Sequence, residues 1–496
     1  GTHASRPVSS HIHRVLLRGL ATRSDDRYED MDALLAALAH DPLRRRKRVV
    51  RIASINLAGA ALVFGAGFWF ADHVDQADPS ATVCALDHEL DGAWDESRRA
   101  SLRARFTASE MPFAAHASRQ LERRLDAYAG QWSDAWRGTC ETERTVGRSG
   151  ELELQRECLV ERRRELEVFI TALVEVGPDS GVRIERSLAA AEALPAIASC
   201  RDFARSGGDV TATPEQRERT TELAAGLSEA RTLGLLGDPA AGLARARLVE
   251  AEARELDQPR TLTRALLQVA DLQREARELD AAAEALREAY ATAERSGEDW
   301  LRAEAALNLF GLIGFDLNQP AEARVWGQVA DALIERIGNP DDLRGRWWMH
   351  DGGLHVRESE FEAAERSLSQ ALQVLERSFG PNAPELDGVL SRLGTVARER
   401  GDLQRAFDFH QRTFDRVHAA YGPDHPDVAK AWAILGTDAY FQSNYEDALG
   451  YTEEALRILA ACYGEDSPAY AMRLNNYAAT LERLERGGVV VEPHRE

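Results

Sequence analysis

The 496-residue sequence predicts an all-α chain. Three observations predict it. Apolar residues recur at helical rather than alternating spacing, one window of twenty residues carries no charge, and small residues return at a step of about 42 through the C-terminal half. These signals divide the chain into a short helix pair (1–43), a basic segment (44–51), a single transmembrane helix (52–71) and a helical domain with four cysteines (80–205). A linker (206–215) and a superhelix of about six stacked helical pairs plus a capping helix (216–486) follow.

Composition narrows the function classes. With 61 basic and 82 acidic residues the net charge is −21, which disfavours nucleic acid as a partner because phosphate attraction needs a basic face. Only Lys47 and Lys430 are lysines, and neither follows a Gly-rich phosphate loop or stands in a kinase strand motif. No catalytic, cofactor-binding or metal-ligating set is read from the chain. His11 and His13 are two apart, and His350 and His355 five apart, spacings that do not put a pair on one helix face.

Charge changes sign along the chain. Residues 1–51 hold 11 basic and 6 acidic side chains, and residues 52–71 hold none. At 1.5 Å rise per residue, that window spans about 30 Å, the thickness of the bilayer core. Arg44 to Arg48 and Arg51 precede it, and Asp72, Asp75 and Asp78 follow. The positive-inside rule then predicts a single-pass inner-membrane protein with residues 1–51 cytoplasmic and 72–496 periplasmic. Ala61 and Gly65 form a small-residue pair that could pack a second copy into a homodimer.

Before that window, "LLRGLATRSDDRYEDMDALLAAL" resembles the last two helices of a bacterial serine/threonine protein kinase domain. The resemblance covers residues 8–40. It implies that Arg27 is the family's buried structural arginine, that the chain is the C-terminal part of a transmembrane kinase, and that ATP and Mg belong to a missing N-terminal lobe. This chain, without those motifs, would be inactive alone. The alternative is a non-enzymatic, membrane-anchored scaffold.

In the region 80–205, Leu121, Leu125, Tyr128 and Trp132 form one stripe, and Leu159, Leu166, Phe169, Ile170 and Leu173 a second. The break at 147–150 makes them an antiparallel hairpin. Cys84, Cys140, Cys158 and Cys200 allow three pairings in an oxidising compartment. Matched height on the hairpin favours Cys140 with Cys158, which leaves Cys84 with Cys200; four buried thiols are the alternative. The region resembles the domain between membrane and repeats in myxobacterial-type kinases, which adds no mechanism.

From residue 216 the small residues Ala230, Ala270, Gly311, Gly352, Gly394, Gly436 and Ala478 mark successive first helices. A second small residue stands twelve further on at Gly242, Ala282, Ala323, Ala364, Ala406 and Ala448. Two helices that cross closely need small side chains at the crossing, and pairs that cannot bury their apolar faces alone must stack. This is the tetratricopeptide signature. The 42-residue step from Gly380 to Gly422 to Gly464 resembles the kinesin light chain type. The resemblance implies protein or peptide binding on the concave face, with Asn308, Ser391 and Asn475 as candidate groove residues. Trp348 and Trp432 are read as core.

Overall fold

The computed structural model describes residue 18 and residues 89–147, 149–175, 180–200 and 214–486. The chain divides into two compact units, Gly1–Ala85 and Leu86–Glu496, and every described residue but one lies in the second. The expected kinase tail apart from Arg18, including Arg27, the basic segment, the apolar window 52–71 and Cys84 lie outside the described residues.

Seventeen α-helices are found among the described residues. Four form the helical domain: α1 (Glu96–Thr107), α2 (Ala114–Val146), α3 (Gly150–Val174) and α4 (Ser180–Glu192). Local chemistry sets their ends. The Asp95 side chain caps α1 by accepting from Arg98 N at 2.9 Å, and Ser149 caps α3 by accepting from Leu152 N at 3.3 Å. Gly147, at φ 93°, turns the chain between α2 and α3. Leu121, Leu125 and Trp132 of α2 bury against Leu159, Leu166 and Phe169 of α3, and the Trp132 indole donates to the Leu159 carbonyl at 2.6 Å.

The single transmembrane helix and the single-pass localisation built on it are corrected. Among the described residues no helix is long and apolar enough to cross a membrane. Even the 33-residue α2 carries Arg119, Glu122, Arg123, Arg124 and Asp126 within eight residues, so its length serves an amphipathic packing face and not a bilayer.

The repeat region forms six antiparallel pairs: α5 (Pro214–Leu235) with α6 (Pro239–Glu255), α7 (Pro259–Glu275) with α8 (Leu279–Ser296), and α9 (Asp299–Gly311) with α10 (Pro320–Arg336). Then come α11 (Asp341–Arg357) with α12 (Phe361–Phe379), α13 (Asp387–Glu399) with α14 (Leu403–Tyr421), and α15 (Pro426–Phe441) with α16 (Tyr445–Tyr463). The last helix, α17 (Pro468–Arg486), packs on α16.

Within each pair the turn uses one residue in the left-handed region: Gly237, Arg277, Asn318, Ser359, Gly401 and Ser443. The next amide then reaches back to a helix carbonyl, as in Glu278 N to Gln273 O at 2.8 Å and Asp402 N to Ala397 O at 2.9 Å, which satisfies the helix end. The third pair departs. A π turn, Leu312–Asp316, follows α9, and its closing bond runs from Gln319 N to Ile313 O, one residue wider.

Candidate partner-binding groove on the inner face

Successive first helices touch one another: α5 with α7, α7 with α9, α9 with α11, α11 with α13 and α15 with α17. Helices that meet across neighbouring repeats lie on the tighter radius of a superhelix, so the first helices line its inner face. The small residues at the crossings permit the close approach of the two helices within each pair. A Cβ on Gly352 would sit 2.6 Å from Leu368 Cγ, and one on Gly394 would sit 2.3 Å from the His410 ring.

Side chains on consecutive first helices form a polar ladder along this face. Asp271 comes from α7, Glu304 and Asn308 from α9, Arg346 and Met349 from α11, and Arg392 from α13. Arg346 Nη2 donates to Asn308 Oδ1 at 2.6 Å and Arg346 Nη1 stands 3.8 Å from Glu304. Arg392 donates to the Met349 carbonyl at 3.1 Å, and its guanidinium lies 4.8 Å from the Phe315 ring centre. A groove of 610 Å³ opens beside it, lined by Arg231, Gln268, Asp271, Arg274 and Asp316 among others.

The groove walls change the chemistry of the charges. Asp271 still reaches solvent, but loss of hydration between the walls, with Glu304 close by, pushes its carboxyl up to about 6. His350 is buried beneath the ladder, between Phe310 and Phe315 with both ring centres 5.7 Å away. Burial, with Arg346 and Arg392 nearby, holds its imidazole well below the usual range, so it is neutral.

Of the groove residues expected from sequence, Asn308 lies on the ladder; the Ser391 carbonyl instead faces His410 Nε2 of the second helix α14 at 3.2 Å. Asn475 is exposed on α17, apart from that ladder. Arg346 was missed. It falls six residues before Gly352, the position held by Arg264 and Lys430 in other repeats, so the repeat step itself carried that signal. Trp348 and Trp432 are partly buried and packed on core clusters.

The cysteines pair otherwise than the hairpin suggests. Cys158 of α3 is bonded to Cys200, with Cα atoms 5.5 Å apart. Cys140 is also disulfide-bonded, and Cys462 is free. Matched height on two helices does not make two side chains face each other. On α2 the buried stripe runs through Trp132 and Thr139, and Cys140 is turned about 100° from Thr139. A further cluster, His355, Glu358 and Glu360, gathers ligand-type atoms within 4.8 Å of one another at the turn after α11. His355 is engaged by Glu360 at 2.7 Å, and Glu358 pairs with Arg324.

Residues 385–461 match the family model described as tetratricopeptide repeat. No curated protein matches the chain. Among solved structures, the apo form of RapI is 11% identical, covers 75% of this chain and 99% of its own, and has a TM-score of 0.39. A Signal Transduction ATPase with Numerous Domains protein with a tetratricopeptide repeat sensor, from Pyrococcus horikoshii, is 14% identical over 75% of this chain and 64% of its own, at 0.41. The apo quorum sensor NprR from B. thuringiensis is 10% identical over 74% and 97%, at 0.40. Such scores decide nothing about function. The matched segment, α13 to α16, is built from two of the six helical pairs, and the chain carries tetratricopeptide repeats.

Proposed function

We propose that this chain is a protein-interaction module whose inner face holds an extended segment of a partner protein across α7 to α13. The observation that supports this most is the ladder from Asp271 through Glu304, Asn308 and Arg346 to Arg392, one step per repeat. A partner backbone laid across such a ladder meets amide and guanidinium donors and carboxylate acceptors at regular intervals. Met349 and Phe315 supply apolar contact between them. The expected scaffold or adaptor role agrees with this reading. The kinase resemblance concerns residues outside the described structure and does not enter it.

The test is selection of short random peptides against the whole chain, followed by affinity measurement on Arg346→Ala combined with Asn308→Ala. The proposal expects selected peptides to lose at least about tenfold in affinity while the melting temperature stays within a few degrees. Peptides that bind the double variant as well as the parent chain would place the binding surface elsewhere.

A further inference from the structure

The helical domain does not stand apart from the array. It touches the first two pairs on one side and the fifth and sixth on the other, with the third and fourth pairs, α9 to α12, between. On the first side, Arg264 of α7 pairs with Glu161 of α3 at 2.9 Å, and Arg231 of α5 donates to the Ala193 carbonyl at 2.6 Å. Val182 of α4 fills the space where a Cβ on Gly237 would lie, 2.5 Å from its Cγ1. On the other side, the Glu192 carboxylate at the end of α4 accepts from Tyr421 Oη at 2.8 Å and from Arg416 at 3.4 Å, and it is held within the domain by an ion pair with Arg124 of α2 at 2.6 Å. His425 Nε2 donates to the Glu185 carbonyl at 3.0 Å, and Gln120 donates to the Ala419 carbonyl at 3.3 Å. The His116 ring of α2 takes the place of a Cβ on Gly422, 2.6 Å away. Both glycines, at φ 96° and 84°, have the left-handed backbone as well as the open space that admit the domain.

From these contacts we infer that α1 to α4 form an intramolecular clasp, with Glu192 as its latch, that ties the first two repeat pairs to the fifth and sixth and so fixes the curvature of the array. Stacked repeats contact only their neighbours, which leaves end-to-end curvature soft unless something bridges the ends. The clasp bridges them. Its far side combines polar bonds around one carboxylate, whose side chain is 8% exposed, with an apolar seam in which Phe113 meets the His425 ring edge-on at 4.7 Å and shares a buried cluster with Val417 and Val428. Arg416 keeps its second partner, Asp387, when Glu192 is lost. Opening the clasp frees Arg231 from the Ala193 carbonyl and Arg264 from Glu161. The inference stands on these contacts alone and holds whether or not the ladder binds a peptide.

Hydrogen exchange on the full chain tests it, comparing the parent with Glu192→Ala and with Tyr421→Phe, which removes only one hydroxyl. Loss of a buried charged hub should speed exchange in α2 and α4 about tenfold in Glu192→Ala and about threefold in Tyr421→Phe, with α9 to α12 changed less than about twofold. Unchanged exchange in α4 in both variants would remove Glu192 as the latch. Equal acceleration of α4 and α9 to α12 would show one indivisible core and overturn the clasp.

Discussion

At the scale of single residues, the crossing glycines are not equivalent. A Cβ on Gly394 would meet the His410 ring 2.3 Å away. That ring cannot yield, because Nδ1 is bonded to the buried Asp438 at 2.5 Å and Nε2 faces the Ser391 carbonyl. At Gly436 the nearest obstacle is the Thr452 hydroxyl at 3.0 Å. Gly394→Ala should cost about 2–4 kcal/mol in urea unfolding, and Gly436→Ala under about 1 kcal/mol, since better helix propensity offsets part of the crowding. The opposite sign is expected at Ser359 and Ser443, which hold φ values of 61° and 62°. Ser→Gly at either turn relieves the left-handed backbone and should stabilise by about 0.5–1 kcal/mol.

Asp271 supplies a pH signature. Its carboxyl is raised from 3.8 to about 6, so its protonated form favours folding. That contribution is fully present below pH 3.8 and lost as pH rises through about 6. Asp271→Asn should therefore raise stability at pH 7.5, by no more than about 1 kcal/mol once solvent screening is allowed for. The gain should vanish by pH 4 in thermal melts. An equal gain at both pH values would mean that the charge is not the cause.

At the scale of elements, the sequence spoke most clearly where chemistry repeats. The glycines and alanines at helix crossings, and the glycine at 380, 422 and 464, recur at a fixed step, so the paired helices could be read directly. The π turn after α9 could not: nothing in Leu312–Asp316 distinguishes it from an α-helical end except its closing bond. The disulfide was misread because spacing reports height along a helix and not which way a side chain faces. Cys158 and Cys200 close a separation of 42 residues, which the chain-entropy argument values at about 4 kcal/mol. Mild reduction should accordingly loosen residues 193–200 and α3 while α9 to α16 keep their exchange protection; unaffected exchange at 193–200 would mean the packing of Ile197 and Trp132 suffices.

At the scale of the whole molecule, what the sequence concealed is the contact of segments more than two hundred positions apart. Glu192 with Tyr421, and His425 with Glu185, follow no period and carry no motif. They join the helical domain to the end of α14 and the loop after it, and leave the third and fourth pairs, α9 to α12, as the stretch between. The expected membrane-spanning helix belongs to this scale too: charge asymmetry and an apolar window suggested it, and the described helices place their apolar faces against one another instead.

The most direct test of the groove is hydrogen exchange on the full chain with and without a saturating selected peptide. The account predicts added protection in the first helices α7, α9, α11 and α13, including the segments of Asn308 and Arg346, and little in the second helices α8, α10 and α12. Protection confined to the second helices, or to α17, would contradict it.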